Sequence, residues 1–225
     1  MTADLRLGRW QDVLEGVECD ALIFDAPFGK RTHAGHDAAP NRAELGYECF
    51  TPANVIEIVD SFSPRCRGWF CTITSHDLAP CWRAALEAQG RYVFAPLPVI
   101  DKGRSTRMLG DGPCSWSDWL IVARPRTREM SKWGTLPGYY MRSHGDDRSE
   151  RKGGKPLDVM RAIVRDYTRP GDLVCDTHAG HGTTLLAALT EGREAIGAEV
   201  DPEAHAAARA RLGAGYTPDM FAGCA

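Results

Sequence analysis

The stretch from Leu173 to Glu199 constrains the fold of this chain more than any other. A short apolar run ends in an acid at Asp176, a glycine turn follows (Asp-Thr-His-Ala-Gly-His-Gly-Thr-Thr), and a second apolar run ends at Glu199. Gly180 and Gly182 allow a tight turn that a ligand can approach closely, and a helix beginning there would offer unpaired N–H groups. The pattern predicts strand, turn, helix and strand around a ligand.

The same alternation of strand and helix extends along most of the chain. Its 225 residues, 43% of them hydrophobic, suit a single domain over 1–225. The patterns predict strands over Asp4–Gly8, Asp20–Asp25, Gly68–Thr74, Arg91–Ala95, Trp116–Ala123, Leu173–Asp176 and Ala195–Glu199. They predict helices over Trp10–Gly16, Pro52–Phe62, Leu78–Gln89, Lys155–Tyr167, Gly182–Glu191 and Asp201–Leu212. This order predicts an open, mostly parallel α/β sheet with helices on both faces, whose ligands bind at the carboxyl ends of strands.

The composition of the glycine turn separates two classes of cofactor. A dinucleotide turn would have a third glycine where Leu185 stands, and Asp176 would repel a pyrophosphate. An acid at this position instead suits a cationic sulfonium or a free amine, which favours S-adenosylmethionine (SAM), with Glu199 accepting hydrogen bonds from its ribose. A turn that binds no ligand is the alternative. The predicted cofactor contacts from this segment are Asp176, His178, Ala179, Gly180, Gly182, Thr183 and Glu199.

A second acid follows the predicted strand Asp20–Asp25, in the sequence Asp25-Ala26-Pro27-Phe28. This segment resembles the Asp-Pro-Pro-Tyr motif of amino-methylating DNA methyltransferases. The glycine turn resembles their cofactor motif, and Lys155-Pro156 resembles the Lys-Pro that precedes it. The catalytic motif comes first and the cofactor motif last, as in the permuted beta group of these enzymes. The resemblance extends from Leu5 to about Leu212.

The resemblance implies a class I SAM-dependent methyltransferase fold, Rossmann-like and circularly permuted, in which the strand Asp4–Gly8 completes the sheet. It also implies a catalytic segment at Asp25, Ala26, Pro27 and Phe28. The carboxylate of Asp25 and the carbonyl of Ala26 would accept the two hydrogens of an exocyclic amine and free its lone pair for direct methyl transfer. Phe28 would stack on a base flipped out of the duplex, and Lys155 would contact the cofactor.

The target atom is less closely defined than the class of reaction. An acid at the first motif position is typical of adenine-N6 enzymes and serine is commoner in cytosine-N4 enzymes, so Asp25 favours adenine N6. Ala26, Phe28, Thr177, His178 and His181 all depart from the family motifs. Three alternatives therefore stay open: cytosine N4 as the target, methylation of RNA or a free nucleotide, and a non-catalytic module that binds cofactor and DNA.

The charge of the chain is concentrated in one segment. Between Asp101 and Lys155 there are 12 basic and 7 acidic residues, a local charge of +5, whereas the remainder carries −8. We interpret 101–154 as a basic insert that contacts double-stranded DNA, with a solvated loop as the alternative. The predicted contacts are Lys132, Arg142, Arg148, Arg151 and Lys152. The insert is small, so the recognition sequence is short or a second copy of the chain, as in a homodimer, helps to recognise it.

The remaining composition places the chain in the cytoplasm. Its eight cysteines include no CxxC pair, which disfavours a disulfide framework or a zinc site. The residues after Met1 do not form a signal peptide, and no apolar run approaches the roughly 20 residues of a membrane span. His33 and His36 lack acid or cysteine partners at ligand spacing, so we expect no metal there and a loop that closes over the flipped base.

Overall fold

A computed structural model of the chain describes residues 2–29, 49–101, 117–142 and 154–214. The strands are β1 (Ala3–Leu7), β2 (Ala21–Asp25), β3 (Phe70–Thr74), β4 (Tyr92–Val93), β5 (Leu97–Ile100), β6 (Ser117–Arg124), β7 (Tyr140–Met141), β8 (Leu173–Asp176) and β9 (Glu194–Glu199). The helices are α1 (Trp10–Val13), α2 (Pro52–Phe62), α3 (Ala79–Ala88), α4 (Leu157–Tyr167), α5 (Thr183–Thr190) and α6 (Pro202–Ala214), with a 3₁₀ turn at Met130–Lys132.

In this described part of the chain the strands form one sheet in the order β1-β9-β8-β2-β3-β6-β5-β7, and β4 also pairs with β6. The five adjacent strands β1, β9, β8, β2 and β3 are mutually parallel. This arrangement confirms the predicted mostly parallel sheet. β1 lies beside β9 with Leu5 opposite Gly197. The amino-terminal strand therefore completes the edge of the sheet, as the permuted order predicts.

Helices cover both faces of the sheet, and β2 shows why. Leu22 and Phe24 point into one apolar cluster, while Ala21 and Ile23 point into the other, as the period of two in a strand requires. The first cluster is completed by α1, α2 and α3, and the second by α4 and α5. Within the described ranges, no helix is long and apolar enough to cross a membrane.

The far side of the sheet differs from the sequence prediction. β6 runs antiparallel to β3, β4 and β5, and neither β5 nor β7 was predicted. β5 has the sequence Leu-Pro-Val-Ile, and a proline argues against a strand because it cannot donate to a ladder. Pairing with β6 nevertheless places Pro98 opposite Trp119. The reversal of β6 brings its amino end to the same edge as the carboxyl ends of β2 and β3.

Candidate catalytic and cofactor-binding site

Three carboxylates lie along one edge of the sheet. Asp25, Asp176 and Glu199 are the last residues of β2, β8 and β9, and these strands are neighbours in the order β9-β8-β2. All three strands are parallel, so their carboxyl ends meet at one edge. The structure thus brings together the two acidic segments that the sequence singled out.

The turn after β8 has an open surface. Gly180 and Gly182 have φ of 53° and 74°, in the left-handed region where residues with a Cβ are strained. A Cβ on Gly182 would lie 3.2 Å from Cβ of Ala208, whereas a Cβ on Gly180 would meet no atom within 4 Å among the described residues. Gly182 therefore serves close packing against α6, and the backbone at Gly180 borders free space that a ligand can enter.

Glu199 is held at this turn by main-chain hydrogen bonds. Its Oε2 accepts from the Gly180 N–H at 2.7 Å, and its Oε1 accepts from the Asp201 N–H at 2.8 Å. Each carboxylate oxygen can accept more than one hydrogen bond. The side chain is thus oriented beside the open space at Gly180 with capacity to accept from two neighbouring hydroxyl groups.

Asp176 is an acid whose burial opposes its ionisation. Burial raises its pKa to about 7, although hydrogen bonds from Thr184 and from the His178 N–H act in the opposite direction. The negative charges of Asp25 and Glu199 raise it further. A cation placed against Asp176 would favour the ionised carboxylate, so this residue is suited to a positively charged ligand.

His178 forms an uncharged aromatic wall of the turn. Its ring stacks on Phe24, with centroids 6.0 Å apart, and meets the edge of Phe50 at 5.7 Å. Burial lowers its pKa to about 4, so the imidazole is neutral around pH 7. A histidine side chain by itself would suggest that cofactor binding depends on pH near neutrality. Because His178 does not titrate in that range, we expect no such dependence.

The other predicted cofactor contacts in the turn have structural partners. The Ala179 N–H donates to Ala198 O at 2.9 Å, which ties the turn to β9. Thr183 begins α5, and its Oγ1 accepts from Arg211 Nη1 at 2.9 Å. These contacts fix the path of the backbone around the open space at Gly180.

Asp25 is paired with a lysine from a distant part of the chain. Lys155 Nζ lies 2.8 Å from Asp25 Oδ2 and 3.4 Å from Asp118 Oδ2. It also lies 4.7 Å from the centroid of the Phe28 ring. The sequence predicted Lys155 as a cofactor contact, and the structure places its ammonium against Asp25 and Phe28.

The rest of the Asp25-Ala26-Pro27-Phe28 segment leaves the sheet in an ordered way. The Ala26 N–H donates to Ile73 O at 3.1 Å and continues the β2–β3 ladder. Pro27 and Phe28 are half-buried, and Phe28 O accepts from the Phe50 N–H at 3.0 Å. The segment therefore holds the Phe28 ring close to the end of β2.

Two predicted DNA contacts, Arg142 and Lys132, lie at opposite ends of the strands of the sheet. Arg142 follows β7, donates its N–H to Ile100 O at 3.1 Å and pairs with Asp101 at 3.7 Å. Since β5 and β7 run in the same direction as β3, Arg142 lies at the edge that carries Asp25. Lys132 precedes Trp133, whose ring contacts Trp69 at the start of β3, so it lies at the opposite edge. Outside the described residues lie Arg148, Arg151, Lys152, His33 and His36.

Sequence reasoning missed Asp118 and Ser75. Asp118 stands in the apolar run Ser-Asp-Trp-Leu-Ile-Val-Ala-Arg of β6 and was hidden by the strand prediction. A negative charge buried inside an apolar run needs a cation as its partner. The acid in this run was therefore the sequence signal that could have identified Asp118. Ser75 follows β3, and its Oγ accepts from the Gly29 N–H at 3.3 Å; no sequence signal pointed to it.

Comparison with known proteins agrees with this geometry. Residues 115–210 match the DNA methylase model of the N6/N4 methyltransferase family. The matched range is less than half of the chain. The matched range contains Lys155 and the glycine turn but begins after Asp25, so the assignment of the catalytic segment rests on the residues themselves and on their place in the sheet.

Similar segments occur in curated proteins described as a putative methylase and as type II methyltransferases. The type II methyltransferase M.MthZI of Methanothermobacter thermautotrophicus is 33% identical over 69 residues, which are 31% of this chain and 19% of that protein. The curated relatives are matched over between 19% and 26% of their own lengths.

Solved methyltransferases share the fold over nearly the whole chain. The M1.HpyAVI–SAM complex superposes with a TM-score of 0.71 at 19% identity, covering 94% of this chain and 99% of that one. The PvuII DNA methyltransferase, described as cytosine-N4-specific, superposes with a TM-score of 0.63 at 14% identity and covers 93% and 86% of the two chains. The Rossmann-like fold of SAM-dependent methyltransferases is thereby confirmed.

Proposed function

We propose that this chain transfers a methyl group from SAM to N6 of an adenine that is flipped out of double-stranded DNA. The observation that carries this proposal is the placement of Asp25 and Asp176 at the carboxyl ends of the adjacent parallel strands β2 and β8. A methyl donor at one acid and a base at the other would lie side by side.

The residues around Gly180 fit the cofactor. SAM supplies a methyl group carried on a positively charged sulfur. Asp176 would face the positive charge of its amino acid end, and Glu199 would accept hydrogen bonds from the two ribose hydroxyls. The open backbone at Gly180 admits the ligand, and the neutral ring of His178 offers an apolar surface without adding positive charge.

The residues after β2 fit the base. The exocyclic amine of adenine is a weak nucleophile because its lone pair is shared with the ring. The carboxylate of Asp25 and the carbonyl of Ala26 would accept its two hydrogens, so that the nitrogen becomes tetrahedral and attacks the methyl carbon as the carbon–sulfur bond breaks. The sulfur leaves as a neutral thioether, and the methylated nitrogen then loses its extra proton to water. Phe28 would stack on the base, a contact worth about 1–3 kcal/mol.

Cytosine N4 is the second candidate, because it presents the same exocyclic amine and because a cytosine-N4-specific enzyme shares this fold. The fold therefore does not separate the two targets. The acid at Asp25 favours adenine, since serine is commoner at that position in cytosine-N4 enzymes.

The placement of the basic residues supports DNA at the Asp25 edge. Arg142 lies at that edge beside Asp101, where it can reach the phosphates on either side of a flipped base. Lys132 lies at the opposite edge, so we assign it a smaller part in DNA binding. Arg148, Arg151 and Lys152 complete the proposed set.

The test is methylation of unmethylated double-stranded DNA with labelled SAM, followed by digestion to nucleosides and mass spectrometry. N6-methyldeoxyadenosine is expected, and N4-methyldeoxycytidine would keep the mechanism and change the base. Asp25→Asn should bind SAM with unchanged affinity in calorimetry and lose methylation by at least about 10²-fold. SAM binding without any methylated nucleoside on DNA or RNA would refute catalysis and identify a binding module.

A further inference from the structure

A single ammonium group, that of Lys155, contacts both Asp25 and Phe28, the two side chains of the proposed base site. Lys155 Nζ lies 2.8 Å from Asp25 Oδ2 and 4.7 Å from the centre of the Phe28 ring. The Lys155 side chain is 9% exposed, so the charge is largely withdrawn from water. A buried ammonium interacts strongly with a carboxylate and with the face of an aromatic ring.

Asp118 holds the ammonium in place from a third element. Its side chain is 5% exposed, and Oδ2 lies 3.4 Å from Lys155 Nζ. Asp118 lies near the amino end of β6, opposite Val99 of β5, and reaches the Asp25 edge because β6 runs antiparallel to β3. A carboxylate buried to this extent destabilises the folded protein unless it is paired with a cation. Asp118 has no other role in the proposed methyl transfer.

We propose that Lys155, anchored by Asp118, is a positioning residue that keeps Asp25 ionised and orients both Asp25 and Phe28 toward the target base. This proposal rests on the proposed function. The ammonium contacts Oδ2 of Asp25, and we assign Oδ1 to the hydrogen of the exocyclic amine. Only an ionised carboxylate accepts at both oxygens, so a cation beside Asp25 favours the form that the reaction needs.

Lys155, Asp118 and Asp176 all influence the ionisation of Asp25. Lys155 favours the carboxylate and the negative charge of Asp118 opposes it, whereas Asp176, with a pKa of about 7, opposes it only at pH values at which Asp176 is itself ionised. Asp176 interacts with Asp25 through space, since the charge of Asp25 raises the pKa of Asp176. Loss of the Lys155 ammonium would remove the cation beside Asp25 and keep the Asp118 carboxylate nearby, so protonation of Asp25 would begin at a higher pH.

The decisive variant is Lys155→Met, which keeps much of the length of the side chain and removes its charge. We expect kcat to fall by about 10²-fold with unchanged SAM affinity, and the acid limb of the pH–kcat profile to move up by about one pH unit or more. Lys155→Arg should recover part of the rate because it keeps the charge. Asp118→Asn should give a smaller loss, and Arg83→Met, on the exposed face of α3, is the matched control.

A readout without turnover tests the positioning role separately from the proposed function. The carboxyl carbon of Asp25, assigned with Asp25→Asn, can be titrated by NMR in the wild type and in Lys155→Met. We expect the midpoint to move to higher pH in the variant, even if no nucleic acid is methylated. An unmoved midpoint overturns the proposal, as does a Lys155→Met enzyme with weakened SAM binding and a wild-type or faster kcat. Thermal unfolding checks that each variant is folded.

Discussion

Replacement of Asp176 by asparagine should remove a specific pH dependence of stability. Asp176 is 1% exposed, and burial raises the pKa of its carboxyl group from 3.8 to about 7. Between those two values the folded protein holds a proton that the unfolded chain releases. The resulting stabilisation is complete below the unfolded pKa and is lost as the pH rises through about 7.

The magnitude follows from the linkage relation. Each pKa unit corresponds to 1.36 kcal/mol, and from pH 5 the proton is retained over about two pH units before Asp176 ionises. The wild-type free energy of unfolding should therefore fall by about 3 kcal/mol between pH 5 and pH 8 because of this residue. Asparagine does not titrate, so the Asp176→Asn protein should lack this part of the loss.

Urea unfolding of both proteins at pH 5 and pH 8 measures this double difference, in which other titrating groups cancel. Asp60→Asn, which removes an exposed carboxyl group on α2 and no buried acid, should behave like the wild type. SAM should bind the Asp176→Asn protein more weakly than the wild type, because the proposed partner of its positive charge is lost. An equal loss of stability in wild type and Asp176→Asn would refute the assignment of a raised pKa to this residue.

Two further substitutions, each compared with a control substitution, test the glycine turn and the edge of the sheet that carries Asp25. Gly182→Ala should cost about 1–2 kcal/mol for its left-handed backbone and weaken SAM binding, because its Cβ would lie 3.2 Å from that of Ala208. Gly90→Ala has a similar φ of 75° with no described atom within 4 Å, and calorimetry should show unchanged SAM binding. Arg142→Ala should reduce the slope of log K against log salt for DNA by about 0.9, and Lys132→Ala should reduce it by less. Equal effects of the two would show that edge placement does not decide phosphate contact.

The elements that sequence reasoning predicted well are those with local signals. The helix α2 begins where Thr51 and Pro52 predict it, with a reciprocal capping interaction between Thr51 and Asn54. β8 has the predicted bounds, Leu173–Asp176. A short apolar run between Pro170-Gly171 and a glycine turn is too short for a helix and therefore predicts a buried strand. Such patterns depend on neighbours in the chain, and the chain itself displays them.

Contacts between distant segments were not available from local patterns. Lys155 and Asp25 are separated by 130 positions, and their ion pair exists because α4 precedes β8, which lies beside β2. Asp118 reaches the same ammonium because β6 runs antiparallel to its neighbours. An apolar run predicts a strand but does not indicate the direction of that strand in the sheet. Lys132 and Arg142 look equivalent in sequence, yet the return of the chain through β7 separates them to opposite edges.

The sequence by itself determined the class of fold, the strand-end acids and the permuted order of the two motifs, because backbone periodicity, glycine turns and residue chemistry are local properties. The tertiary structure alone decided which charges meet. Ion pairing, burial and the raised pKa of Asp176 depend on the packing of strands that are far apart in the chain, and that packing sets both the distances and the exclusion of water.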